Sequence, residues 1–409
     1  MEIESTPLQR VRVFDAFRHR DFRLLWSGQA VSLIGDAAFF TALGWRAFTL
    51  VGSSRLGVVF LCQALGLLAT LLIGGALADR IPRRTMMIAS DLARCAVVAA
   101  LAAVDASGHL SFGLLIALTL LSGLGDGFFF PAVGGIVPLV VEQAALPSAN
   151  SLIGVARWGS FIVGPALAAG LYSATGSSVV FALDAGSFLV SAALLWRLRP
   201  RAVQPEAKEG TAREIAAGVR YVAKIPWLWV TITLFAVILM LQLAPQQVLM
   251  PALVHEHFDR GVGAYGFLVT MFGAGTVSGT LAFGQLQPRA NRGLVNYSFW
   301  LLNSLAIAAL ALSPWFELAA GFAFVRGFCV GFGVAMWETM LQELVPNQLL
   351  SRVVSLDFFG SFGLMPVGLA FAAAVAGLAS PGTIIASGAL ISAAMIAATM
   401  TRPWLRAVE

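Results

Sequence analysis

Charged side chains are scarce in this sequence. Only 11% of its residues are Asp, Glu, Lys or Arg, whereas 58% are hydrophobic. A soluble domain carries about 25% charged residues, so this composition cannot build a water-facing surface. Lipid must cover most of the exterior, and the chain is therefore predicted to be an all-α membrane protein.

Lysine and cysteine are also rare. Lys208 and Lys224 are the only lysines, and no basic stripe is interleaved with aromatic residues. We therefore attribute the net charge of +5 to membrane topology and expect no nucleic-acid partner. Cys62, Cys95 and Cys329 lie far apart in apolar runs, form no CxxC pair and show no metal-like spacing, so no metal site is predicted.

Several sequence motifs are missing. No G-x-x-x-x-G-K-[ST] loop occurs, so ATP is not expected to drive the protein. No HExxH motif and no convincing nucleophile–base pair is present, which argues against a membrane enzyme. The first 23 residues are rich in charge and the first apolar stretch lacks a cleavage site, so it is interpreted as a retained helix. We expect no cofactor, with an ion gradient as the energy source.

Long uncharged stretches divide the chain into membrane spans. Residues 158–183 and 225–254, for example, contain no charged side chain. A bilayer core needs about 20 apolar residues per helix. The twelve predicted spans are 22–45, 54–78, 85–104, 111–134, 149–173, 178–197, 226–252, 263–286, 293–313, 315–341, 351–378 and 380–401.

Basic residues concentrate on one side of these spans. That side, which carries both termini, holds 20 of the 26 basic residues, whereas the opposite loops hold only Arg55 and Arg260. Loops rich in Lys and Arg remain in the cytoplasm. The distribution predicts cytoplasmic termini and a multi-pass protein of the bacterial inner membrane.

A polar segment separates two halves of six spans each. It contains Pro200, Pro205, Glu206 and Glu209, and it lacks a long apolar run. The predicted organisation is a cytoplasmic N-terminal segment (1–21), an N-terminal bundle (22–197), a cytoplasmic linker (198–225), a C-terminal bundle (226–401) and a cytoplasmic tail (402–409).

The two halves share a glycine pattern. Gly57, Gly66 and Gly75 recur as Gly266, Gly275 and Gly284 at a constant offset of 209, and Gly123 and Gly127 recur as Gly327 and Gly331 at an offset of 204. Parallel duplications of this kind place a transport site between the two halves near the bilayer midplane. The expected fold is twelve transmembrane helices in two pseudo-symmetric bundles.

A charged loop joins the second and third spans. It reads Gly75-Ala-Leu-Ala-Asp79-Arg80-Ile-Pro82-Arg83-Arg84. An aspartate at a helix end can meet a neighbouring helix N-terminus, and arginines can tie helix ends together by charge-assisted hydrogen bonds. The loop resembles the G-x-x-x-D-R-x-G-R-R signature of the major facilitator superfamily, with Pro82 replacing a glycine. The resemblance implies a conformational latch; an ordinary positive-inside loop is the alternative. The predicted latch residues are Gly75, Asp79, Arg80, Arg83 and Arg84, with Asp91 and Arg94 of the third span.

Two further stretches resemble the exporters of this superfamily. Gly159, Gly164 and Pro165 in the fifth span are similar to the exporter motif G-x-x-x-G-P-x-x-G-G, with the first spacing one residue longer. Proline kinks a helix and glycine permits close approach, so we expect a tight contact between the halves. The stretch from His19 to Asp36 resembles the opening of the branch of siderophore, drug and macrolide exporters. That resemblance implies proton-antiport efflux of small organic molecules by a monomer.

Ionisable residues within spans are costly and mark functional sites. By resemblance, spans 1, 4, 7 and 10 line the cavity, which makes Asp36, Asp126, Arg326 and Glu338 candidates for proton coupling or substrate contact. Asp126 has an alternative role in a fixed ion pair with Arg83 or Arg94. Asp184 is expected near the outer end of the sixth span. Arg326 and Glu338 lie about 18 Å apart along one helix, so each needs another partner.

Uncharged polar and aromatic residues supply further candidates. Gln242 and Gln246 flank Pro245 in the seventh span and suit either ligand binding or interhelical hydrogen bonds. Trp45 and Trp337 could form aromatic walls, although tryptophan at helix ends also anchors a protein at the interface. Three readings of the transport activity stay open: a proton-antiport exporter, an importer or symporter, and a lipid flippase.

Overall fold

The described residues of the computed structural model are 14–78, 81–142, 145–201, 211–286, 288 and 290–406. Long helices dominate these ranges, as the apolar runs predict. The helices are α1 (Arg20–Ala78), α2 (Arg83–Ala106), α3 (Phe112–Val140), α4 (Leu146–Thr175), α5 (Ser177–Trp196), α6 (Thr211–Lys224), α7 (Pro226–Ala252), α8 (Val262–Leu286), α9 (Arg292–Ala311), α10 (Phe316–Leu344), α11 (Asn347–Phe362), α12 (Met365–Val375), α13 (Pro381–Met400) and α14 (Pro403–Arg406).

Eleven segments of the described chain are long and apolar enough to cross a membrane. The first, within α1, is 52 residues long, which exceeds one bilayer thickness about twofold at 1.5 Å per residue. Gly52 divides α1, because its φ of 76° and ψ of 172° are not helical. Two crossings in α1 and ten elsewhere confirm the twelve-span fold class, with Ser380 capping α13 at the predicted turn.

The eleventh span differs from its prediction. The sequence predicts one helix over 351–378, whereas the structure has α11 and α12 separated at Gly363 and Leu364. Pro366 lies in the first turn of α12. Proline has no N–H to donate to the preceding turn, so the helical hydrogen-bond ladder is interrupted there.

The segment predicted as a polar linker contains α6, an amphipathic helix. Its last turn packs against the C-terminal bundle, where Val222 is buried beside Leu228 of α7 and Val353 of α11. A helix with one apolar stripe buries that stripe against a neighbour. The connection between the halves is therefore attached to the second bundle.

The glycine repeat corresponds to equivalent helix contacts in the two halves. A Cβ built on Gly66 would lie 2.9 Å from the backbone N of Leu124, and one built on Gly275 would lie 2.8 Å from that of Phe328. Gly66 and Gly275 are related by the offset of 209, and Leu124 and Phe328 by that of 204. Small residues allow such backbone contact within membranes. The pairs α1–α3 and α8–α10 are thus the same structural unit, which confirms the repeat.

The halves share a hydrophobic core at one end only. The largest buried cluster joins Trp45 and Phe181 of the first half to Tyr265 and Ile385 of the second, near the loops opposite the termini. At the end that carries the termini, the buried clusters of the described residues each belong to one half. The two bundles therefore pack against each other at the end opposite the termini. At the end that carries the termini, the described residues of each bundle form separate cores.

Candidate functional site

A buried arginine organises the N-terminal half. Arg94 of α2 contacts Asp91 of the same helix (Nη2–Oδ1 2.5 Å) and Asp126 of α3 (Nη1–Oδ1 3.1 Å). Its guanidinium carbon lies 4.2 Å from the ring centre of Phe129 and 4.3 Å from that of Phe188. Two carboxylates and two aromatic faces thus surround one cation, whose side chain is only 3% exposed. The fixed pair of Asp126 with Arg94, the alternative left open by the sequence, is present.

Two further carboxyl groups complete this set, which we call the Arg94 cluster (Asp36, Asp91, Arg94, Asp126 and Asp184). Asp36 of α1 lies within electrostatic range of Arg94, Asp91 and Asp126, and Asp184 of α5 lies within range of Asp36. The cluster therefore contains at least one residue from each of α1, α2, α3 and α5.

The absence of a side chain at Gly35 permits the approach of α5 to α1. A Cβ built on Gly35 would lie 2.5 Å from Asp184 Oδ1 and 2.9 Å from Ser187 Cβ. Ser187 donates a hydrogen bond to Asp184 Oδ1 at 3.2 Å, whereas Asp184 Oδ2 has no hydrogen-bond partner among the described residues. Asp184 lies about 10 Å inside α5 and not at its outer end, because seven residues of helix precede it.

Accessibility differs within the Arg94 cluster. Asp91 and Asp184 are fully buried, whereas Asp126 retains 16% exposure and Asp36 is also partly exposed. Gln63 of α1, itself buried, lies beside Asp126. Asp36 and Asp126 therefore form the accessible edge of an otherwise enclosed set of charges.

The predicted latch is described in part. Arg83 donates to the carbonyl of Gly135 in α3, and Arg84 donates to the carbonyls of Leu195 (2.9 Å) and Trp196 in α5. Leu195 and Trp196 lie in the last turn of α5, where carbonyls lack an intrahelical partner and arginine can satisfy them. These bonds tie helix ends within the first bundle. Gly75 lies in α1, whereas Asp79 and Arg80 lie outside the described residues.

The exporter-like motif of the fifth span lies in α4, at the boundary between the halves. The carbonyl oxygen of Pro165 would lie 2.8 Å from a Cβ on Gly266 of α8, so these backbones touch. Gly164 faces α1 instead, where a Cβ would lie 2.8 Å from the carbonyl oxygen of Ile34. Gly159 has open space around it. Two of the three motif residues therefore make close interhelical contacts, one of them between halves.

The glutamines of the seventh span lie in a buried amide network between α7 and α9. Gln242 donates to Ser304 Oγ at 2.7 Å and accepts from Asn303 at 3.3 Å. Gln246 donates to the backbone carbonyl of Gln242 at 2.9 Å. Gln242 and Gln246 are only 4% and 5% exposed. Gln242 therefore makes the interhelical hydrogen bonds that were one alternative for these residues, whereas the hydrogen bond of Gln246 stays within α7.

The two charged candidates of α10 lie in different surroundings. Arg326 is in the interior part of the helix, with its guanidinium carbon 4.4 Å from the ring centre of Phe272 in α8. Glu338 is exposed near the terminal end, within electrostatic range of Arg157 in α4 and Asp357 in α11. Asp357 also accepts a hydrogen bond from Trp337 at 2.9 Å. Glu338 therefore faces charges of both halves, whereas Arg326 does not.

Aromatic rings close the end opposite the termini. Trp45 of α1 stacks on Tyr265 of α8 with ring centres 6.1 Å apart, and His255 meets both Trp45 and Phe48 edge-on. Trp45 is buried, so it packs between the halves and does not anchor the chain at a lipid interface. These rings belong to the core that the two halves share.

The prediction that Asp184 lies near a helix end is wrong, because it belongs to the Arg94 cluster, and no sequence motif indicates Gln63, which lies beside Asp126. The spacing of Asp184, Ser187 and Ser191, which lie on one face of α5 and are all buried, is the signal that indicates a polar interior stripe. No group of three His, Cys, Asp or Glu in the described parts of the chain is arranged to hold a metal ion.

Comparison with protein families gives a match over nearly the whole chain. The family of transmembrane secretion effectors, within the major facilitator superfamily, matches residues 12–408. Macrolide efflux protein A of Streptococcus pyogenes is 26% identical over 366 residues, covering 86% of this chain and 88% of that protein. Enterobactin exporter EntS of Shigella flexneri is 25% identical over 343 residues, covering 82% and 80%.

Solved structures show the same fold at low sequence identity. A bacterial homologue of the iron transporter ferroportin in an inward-facing state has a TM-score of 0.73 at 16% identity, covering 94% of this chain and 99% of that one. A bacterial homologue of the lysosomal transporter Spinster, inward-facing and unoccupied, has a TM-score of 0.67 at 13% identity, covering 95% and 96%.

Proposed function

Because the chain belongs to the transmembrane secretion effectors of the major facilitator superfamily, we propose that it exports small amphiphilic molecules by proton antiport. Membership makes it a transporter and not an enzyme, and its relatives include exporters of macrolides and of enterobactin. The Arg94 cluster is the observation that supports proton coupling.

The charge balance of the cluster favours proton binding. Four carboxyl groups surround one guanidinium, so full ionisation would leave three negative charges uncompensated. Buried anions without partners are costly in the membrane interior. Protons taken up by the accessible carboxyls, Asp36 and Asp126, reduce that cost, and their release restores the charge. Such a site can exchange protons with whichever side it faces.

The second half contains no equivalent cluster. At the repeat offset of 209, Asn303 stands in place of Arg94, Trp300 in place of Asp91 and Pro245 in place of Asp36. At the offset of 204, Val330 stands in place of Asp126. Both halves have the same helix contacts, so the charges are not a requirement of the fold. This difference supports a coupling role confined to the first bundle.

The packing of the halves supports alternating access. The halves share a core at the end opposite the termini, and we take the terminal end as cytoplasmic because most basic residues lie there. This conformation would then load substrate from the cytoplasm. Release outside requires Trp45 and Tyr265 to separate and the terminal ends to meet, which Glu338 and Arg157 are placed to assist.

Substitution of Asp36 tests the proposal. Purified protein in proteoliposomes is assayed for uptake of erythromycin or a catecholate siderophore under an imposed pH gradient, with proton movement followed by an internal pH dye. We expect Asp36→Asn to fold and bind substrate but to lose gradient-driven transport, because an amide cannot exchange a proton. Asp15→Asn, in the short 3-10 helix before α1 and outside the Arg94 cluster, is the matched control.

Transport by Asp36→Asn that still moves protons would remove Asp36 from the mechanism. Wild-type transport that is indifferent to the pH gradient would refute proton antiport. Uptake in the opposite direction under the same gradient would favour a symporter on the same fold.

A further inference from the structure

The two arginines that lie deep within the bundles have unequal surroundings. Arg94 has two carboxylate partners and two aromatic faces. Arg326 has one aromatic face, that of Phe272, and no carboxylate within 4.0 Å among the described residues. Its guanidinium makes no hydrogen bond to those residues, and Nε is buried without a partner. The charge of Arg326 is therefore left uncompensated by the residues that the structure describes.

Arg326 faces away from lipid. It lies ten residues, or about 15 Å, from the start of α10, well inside the span. Phe324, two residues earlier and hence about 200° away around the helix, points outward with 36% exposure. Val330, one turn further on, packs against the cluster of Leu234 in α7 and Trp300 in α9. Part of Arg326 nevertheless remains accessible, so its exposed surface borders space inside the protein.

An arginine in this position requires a partner. A lone cation buried within the bilayer is energetically costly, so charged side chains there are usually paired. A guanidinium offers five N–H donors in a planar fork that matches a carboxylate, a phosphate or a catecholate. The adjoining ring of Phe272 supplies an apolar surface for the rest of a ligand.

We propose that Arg326 binds an anionic group of the transported molecule, so that the substrates are amphiphiles with a negative charge and an apolar body. This inference rests on the proposed export function and specifies its substrate class. In this proposal the two halves have different roles. The acidic Arg94 cluster of the first half exchanges protons, and Arg326 of the second half binds the anion. The competing explanation is that Arg326 pairs with a carboxylate of the protein itself in another conformation.

A matched pair of ligands tests this assignment. The fluorescent probes 7-(diethylamino)coumarin-3-carboxylate and its 3-carboxamide share one body and differ by the charge. Their dissociation constants are measured by fluorescence titration against the full chain in nanodiscs. We expect wild type to bind the carboxylate at least about tenfold more tightly, since hydrogen bonds to charged groups contribute that much.

Three variants complete the experiment. Arg326→Gln should lose the tenfold preference and keep its affinity for the carboxamide within about twofold, which also shows that it folds. Arg326→Lys should retain part of the preference, because it keeps the charge without the fork. Arg55→Gln, which removes one positive charge from an exposed position, should behave as wild type.

The inference is overturned if wild type binds both probes equally, or if Arg326→Gln weakens both by the same factor, as expected for an ion pair internal to the protein. The proposed function is judged separately. Gradient-driven export of both probes with no dependence on Arg326 would leave the export function standing and remove this site. An Arg326-dependent preference for the carboxylate, without gradient-driven transport, would support this binding site and refute the proposed export function.

Discussion

Replacing Arg94 tests whether one cation holds the buried carboxyls together. In Arg94→Met the side chain keeps its packing between Phe129 and Phe188, since a thioether also contacts aromatic rings favourably. Asp91 and Asp126 then lose their ion-pair partner. Removing one member of a buried pair costs about 3–5 kcal/mol. The variant is expected to unfold that much more easily at pH 8.

The pH dependence of the unfolding free energy shows whether uncompensated negative charge causes the destabilisation. A buried carboxylate without an ion-pair partner costs less free energy once it is protonated. The destabilisation caused by Arg94→Met should therefore shrink as the pH falls from 8 to 5. A second substitution, Asp126→Asn in the same chain, should recover part of the loss by removing one uncompensated charge. The unfolding free energy is measured by steric trapping in bicelles, for the single variants and the double variant.

An exposed ion pair provides the control. Arg260 and Glu317 lie 3.6 Å apart with side chains 53% and 77% exposed. Exposed pairs contribute about 0–1 kcal/mol, so Arg260→Met should be nearly neutral at every pH. An Arg94→Met cost no larger than that of Arg260→Met, or one independent of pH, would refute the idea that Arg94 neutralises buried carboxylates.

Two other predictions concern packing and coupling. Gly275→Leu should prevent the α8–α10 contact and abolish accumulation of folded protein, whereas Gly113→Leu, which has open space around it, should accumulate normally; membrane expression and size-exclusion profiles decide. Asp184→Asn should keep substrate binding but shift the pH profile of efflux to lower pH, because Asp36 loses a neighbouring negative charge. An unchanged profile would exclude Asp184 from proton exchange.

The asymmetry between the halves separates the needs of the fold from those of function. Gly66 and Gly275 occupy equivalent contacts, so the repeat preserves what helix packing requires. The charges of the Arg94 cluster do not follow the repeat: Arg94 corresponds to Asn303, which takes part in an uncharged amide network. Because helix packing does not require these charges and burying them is costly, they are the residues to which we assign the proposed coupling.

Composition and residue spacing were sufficient to predict the membrane crossings and the internal duplication. They also indicate that the basic residues concentrate on one side of the membrane. The reason is that lipid is the solvent. A span must be apolar over about 20 residues whatever its neighbours are, so each helix can be predicted from its own sequence. For the same reason, the break at Gly52 falls between two predicted spans and the cap at Ser380 falls on the first residue of the last one. Even the interruption near Pro366 has a local cause that the sequence contains.

Which polar side chains meet was decided only by the tertiary structure. Asp126 and Arg94 lie on different helices, and so do Asp36 and Asp184; their proximity depends on how each helix is rotated about its axis and how closely it approaches the next. Those quantities arise from interhelical contacts such as that of Gly35 with α5, which sequence separation does not encode. The isolation of Arg326 is likewise a property of the assembled bundle, because a lone charge can be recognised only after every possible partner has been located.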